Sequence, residues 1–110
     1  MKVCVIIPCY KVKDKIIKVL QSIPECITHI FVVDDCCPEQ SGQYVLSNIS
    51  DPRIEVILHN QNQGVGGAVK TGFHDALNYQ PLKIMVRFYN NQQAGICFQY
   101  LLDHSLNYYL

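Results

Sequence analysis

No apolar run in this chain approaches the ~18 residues that a membrane-crossing helix needs, and the longest, around Val3 to Ile7, is cut by Pro8. The chain is therefore not expected to span a membrane. A basic stripe is missing too. Nine Lys and Arg balance nine Asp and Glu, and they are scattered, so the electrostatic footprint of a nucleic-acid binder is absent. No basic, apolar and cleavage-site leader opens the chain, so its six cysteines read as reduced thiols of a cytoplasmic protein rather than as a disulfide framework. None of them has C-x-x-C spacing and the four histidines share no spacing, which leaves no zinc site.

What is present fits one packed domain: 110 residues suffice for one core and are too few for two of ordinary size. An apolar fraction of 49% against 16% charge suggests a sheet covered on both faces, or an unshielded interface. Residues 2–8, KVCVIIP, predict a strand buried on both sides. From Lys13 to Ile23 the apolar spacing is that of an amphipathic helix, stopped by Pro24. A second strand is predicted over 30–35, a short helix over 44–49 and a third strand over 54–60. A glycine-rich turn at 64–67 then leads into a helix from Ala68, and KIMVRFY makes a fourth strand. Alternation of this kind predicts a three-layer αβα domain with a mostly parallel sheet, which binds ligands at the carboxyl ends of its strands.

Those ends carry the candidate chemistry. Asp34-Asp35 closes an apolar strand, so one carboxylate can accept hydrogen bonds from a ligand while the other takes backbone N–H groups of the next turn; a pair that only caps that turn is the bland alternative. The run from Asn62 to Ala68 contains Gly64, Gly66 and Gly67, whose backbone can approach a phosphate at a helix N-terminus, or merely allow a tight turn. GVGGAVKT has the frame of a phosphate-cradling P-loop, but Val69 stands where the second glycine belongs.

VIIPCYK at the first strand end, VVDDCCPEQ at the second and NQGVGGAVKTG before the third helix together resemble family 2 inverting glycosyltransferases of the GT-A fold, over roughly residues 2–90. That resemblance implies transfer of a sugar from a nucleotide-diphosphate donor, of UDP or GDP type, to a glycan or lipid-linked acceptor, as in polysaccharide biosynthesis. It implies nucleoside contacts at Pro8, Cys9 and Tyr10, a base acceptor at Asp35 beside Asp34, and a nucleotide-side lining at Asn62, Gly64, Gly66, Gly67 and Lys70.

The sequence departs from the family in three places. Lys11 stands where many members carry asparagine, and Cys36-Cys37 replace a small polar pair. Where an Asp-x-Asp motif holds Mg²⁺ or Mn²⁺ in intact members, the aligned stretch is RFYNNQQ, with Tyr89 and Asn91 at the aspartate positions. Neither side chain supplies an anionic oxygen, so no metal cofactor is expected for this chain.

Residues 1–91 are thus expected to form the nucleotide-binding half, and 92–110 an apolar, tyrosine-rich tail read as a helix with Ile96, Phe98, Leu101, Leu102 and Leu106 inward. The acceptor half, with its catalytic base, is not in the sequence, which suggests a truncated or frameshifted copy retaining at most nucleotide binding. The rival class is a non-catalytic module that pairs with a second copy through its sheet edge or tail.

Overall fold

Side chains of consecutive strand residues point to opposite faces, so a run of β-branched residues must be covered on both sides. The structure, a computed structural model, describes residues 2–87 and the backbone of 97–98, 102–103 and 108–109. In chain order it contains β1 (Val3–Cys9), α1 (Lys13–Gln21), β2 (His29–Asp34), α2 (Ser41–Asn48), β3 (Ile54–Leu58), α3 (Gly64–Leu77), β4 (Lys83–Arg87), β5 (Cys97–Phe98), β6 (Leu102–Asp103) and β7 (Tyr108–Tyr109).

The main sheet has the order β3-β2-β1-β4-β5, parallel from β3 to β4, with β5 antiparallel on β4. Val5, Ile7 and Cys9 of β1, with Ile30 and Val32 of β2, face a core made with Ile16, Val19 and Leu20 of α1 and Val45 of α2. Cys4 and Ile6, with Phe31 and Val33, face the other side, against Ala68 and Ala76 of α3. This is the expected α/β fold, a partial GT-A-like domain with helices on both faces.

Helical crossovers account for the layers: β1 to β3 step one way through α1 and α2, and the chain then returns through α3 to place β4 on the far side of β1. Strand order reverses between β1 and β4, and crevices at such a reversal are where open α/β sheets take ligands. Gly72 lets α3 lie directly on the sheet, because a Cβ there would fall 2.5 Å from Ile6 Cγ2.

Element bounds shift by a residue or more from the sequence reading, and three of the larger shifts fall at helix ends. α1 ends at Gln21, where Ser22 Oγ donates 2.7 Å to Val19 O. α2 begins at Ser41, three residues early, because the Gly42 N–H donates to Asp34 across the turn. The glycines at 64–67 are not a turn before α3 but its first turn. This removes the P-loop reading, since GVGGAVKT is helical throughout and forms no cradling loop. The helix read over 92–110 lies largely outside the described residues, and the three described stretches of it are strands. Phe98, Tyr108 and Tyr109 are good strand formers, and β5 covers an edge of β4 that would otherwise lack backbone partners.

Candidate functional site at the carboxyl edge of the sheet

In the β1–β2 register Cys9 stands beside Asp34, so the chain leaves both strands at the same level. The next residues form the site. The Asp35 N–H donates 3.1 Å to Cys9 O, which holds the second carboxylate beside the first strand's exit.

The two aspartates do different work. Asp34 is 4% exposed and turns under α2, where Oδ1 accepts the Cys37 N–H at 2.7 Å and Oδ2 the Gly42 N–H at 2.9 Å. Both oxygens are therefore used in joining β2 to α2. Asp35 reaches the other way. Its Oδ1 accepts the Gln63 N–H at 2.7 Å and lies 2.9 Å from His59 Nδ1.

Burial alone would raise the Asp35 carboxyl, but the hydrogen bonds from His59 and from the backbone N–H groups of Gln63 and Gly64 outweigh it and hold the group below its ordinary value. The site thus contains a buried, ionised carboxylate. Asn62 closes the loop, with Nδ2 donating 3.3 Å to Asp35 O and Oδ1 accepting the Gly64 N–H at 3.0 Å. Asp35, Asn62 and Gly64 do converge as the sequence suggests. The amides of Gln63 and Gly64, however, already serve these two side chains, and so do not stand free for a phosphate.

The glycines separate by role. Gly64 has φ 79°, the left-handed region that needs no Cβ, whereas a Cβ at Gly66 would meet open space. A Cβ at Gly67 would fall 2.5 Å from the Gln63 Cβ, so this glycine lets the N-cap side chain fold back over the helix. Gly67 and Lys70 line an open depression of about 310 Å³ along α3, with Gln63, Thr71, His74 and Asp75. Gln63 and Thr71 connect that depression to the Asp35 cluster.

On the β1 side, Pro8 is buried in the strand and Cys9 is fully buried, its Sγ donating to Ile7 O at 3.6 Å. The Cys9 side chain faces the α1 and α2 core, and burial with the nearby Asp34 pushes its thiol up. Tyr10 is 44% exposed, with Lys11 Nζ 5.5 Å from its ring centre, so it is the residue of this trio that presents a face to solvent.

Lys11 and Cys36 have φ 58° and 56°. Position 11 is where the sequence departs from an asparagine, a residue that tolerates this region. Lys11→Asn should therefore raise stability by about 0.5 kcal/mol and Lys11→Val lower it by about 1–2 kcal/mol, measured by urea unfolding. The Lys11 N–H donates 3.1 Å to Cys37 Sγ. Burial would raise that thiol, but bonds from Ser41 and the Lys11 amide bring it below its ordinary value.

Residues 4–79 match the family model described as glycosyl transferase family 2. The chain belongs to this family. A comparison with curated proteins gives no match. The matched span contains all the site residues named above and ends before β4. Tyr89 and Asn91, at the family's metal positions, lie outside the described residues. Among the described residues, no group of three or more His, Cys, Asp or Glu is arranged to hold a metal ion, and the Asp34 oxygens are taken by backbone amides. No helix among the described residues is long and apolar enough to cross a membrane, and the five described cysteines are free thiols.

The sequence reading places His59 at a strand end and Gln63 and Thr71 in or beside the glycine-rich run, but assigns none of the three a role of its own. His59 follows β3 directly, and its position at a carboxyl strand end was the available signal. Gln63 acts mainly through its backbone, which a sequence motif does not display.

Proposed function

We propose that this chain binds the nucleotide part of a UDP- or GDP-sugar in the crevice at the carboxyl ends of β1, β2 and β3, as the donor half of an inverting glycosyl transfer to a glycan or lipid-linked acceptor. The observation that carries the reading is the Asp35 carboxylate, ionised and held by the Gln63 N–H and His59 at the end of β2. Both of those bonds fall on Oδ1, and in this reading Oδ2 is the oxygen that accepts the imide N–H of a uracil or the matching edge of guanine. Only 5% of the side chain is exposed, a geometry that suits an edge-on N–H and excludes a bulky group. Tyr10 beside it offers an exposed ring against which a base can lie.

Within this reading, residues 1–91 are the nucleotide-binding half and 92–110 a tail on it. The free thiols accord with a cytoplasmic setting.

Calorimetric titration of the full chain with UDP, GDP and their sugars, with and without Mn²⁺, tests the proposal. Binding weaker than about 10 µM is expected, with metal changing affinity less than about threefold. Absence of any nucleotide binding would remove the reading. A tenfold or greater gain with Mn²⁺, on the order of 1.4 kcal/mol, would overturn its metal-independent part.

A further inference from the structure

One buried polar chain does more than the proposed nucleotide contact requires. The His59 side chain is 6% exposed and stands between two partners, with Nδ1 2.9 Å from Asp35 Oδ1 and Nε2 2.9 Å from Thr71 Oγ1. Thr71 in turn lies 3.0 Å from Gly67 O, one helical turn back. An ionised carboxylate can only accept, so Nδ1 carries a proton and donates it to Asp35. The Thr71 hydroxyl has a single proton, which goes to Nε2 when that nitrogen is bare and to Gly67 O when it is protonated. The end of β2, the end of β3 and the first turns of α3 are thereby tied through one imidazole.

We infer that His59 is the positioning residue of the nucleotide site. Its Nδ1–H fixes Asp35 Oδ1 inward and so turns Oδ2 toward the crevice, while Nε2 braces the ring against α3. The inference rests on the reading that Asp35 accepts a base N–H. It differs from a packing role because it assigns separate tasks to the two ring nitrogens. Asparagine places an amide N–H where Nδ1 stands and glutamine places one where Nε2 stands, so the two variants divide those tasks.

The test uses the full chain and its H59N and H59Q variants, with UDP as the probe. ¹H–¹⁵N spectra are read without ligand for the Gln63 amide, which shares Asp35 Oδ1. H59N is expected to bind UDP within about threefold of the parent, and H59Q to lose about tenfold. The Gln63 amide signal is expected to move in H59Q and to stay in H59N. Equal loss of affinity in two folded variants, or an unmoved Gln63 amide in H59Q, overturns the positioning role. Should the parent take no UDP, the reading of Asp35 as a ligand acceptor fails, and the Gln63 signal still decides the role of His59. Where H59Q does not fold, Asp35→Ala replaces it, since alanine leaves no acceptor: loss of the hydrogen-bonded Nδ1 proton from the His59 spectrum supports the inference, and its persistence overturns it.

Discussion

Replacing Asp35 by alanine should lower UDP affinity by about a hundredfold and cost about 3 kcal/mol of folding stability. On the proposed reading, the affinity loss follows from removing the carboxylate that accepts the base N–H. The stability loss follows from what stays behind, because the Gln63 N–H and His59 Nδ1 lose their partner in a site from which water is nearly excluded. Whole-domain stabilities are on the order of 5–15 kcal/mol, so a loss of this size shows clearly in urea unfolding. Binding of UDP by folded Asp35→Ala at the parent's affinity would dismiss this carboxylate as the nucleotide acceptor.

The same group gives a pH limb of known sign. Because its folded-state value is depressed, its contribution is complete above the ordinary carboxylate range and is lost as pH falls through the depressed value. Asp51, paired with Arg53 at 2.8 Å, contributes a limb of the same sign. Comparison of the parent with Asp35→Ala isolates the part that belongs to position 35.

Asp34→Ala should cost a similar ~3 kcal/mol for a different reason, with UDP affinity changed less than about threefold while the chain remains folded. Here the orphaned groups are the Cys37 and Gly42 amides, which join β2 to α2. The turn they build is tight: a Cβ on Gly42 would fall 2.7 Å from Leu58 Cδ2 and 3.0 Å from Asp34 Cβ. Loss of the carboxylate therefore loosens α2 against β3 rather than opening the crevice. Thermal unfolding and UDP calorimetry on both alanine variants separate the two roles. A hundredfold affinity loss in folded Asp34→Ala would show that both carboxylates serve the ligand.

That adjacent aspartates divide in this way illustrates how far a sequence motif reaches. Alternation within a strand sends neighbouring side chains to opposite faces. From VVDD alone one carboxylate had to point toward the next turn and one away, but which went where depended on α2 packing over the face that Asp34 shares with Val32. Likewise, Gly64, Gly66 and Gly67 look interchangeable as letters. Only the φ of Gly64, the Gln63 side chain over Gly67 and the open space at Gly66 tell them apart.

The order and spacing of apolar runs, prolines and glycines sufficed for the α/β class, the parallel sheet and the family, because burial on two faces, helix periodicity and chain breaking are local properties. The internal use of the Gln63 and Gly64 amides, the burial of the Cys9 side chain and the bridge from Asp35 through His59 to Thr71 were decided by tertiary structure. Asp35 lies 24 residues from His59 and 28 from Gln63, His59 lies 12 from Thr71, and the burial of Cys9 depends on the face toward which its side chain turns. No local pattern encodes which distant donor will satisfy a buried carboxylate, since that is set by where the sheet register and the seat of α3 bring the strand ends together.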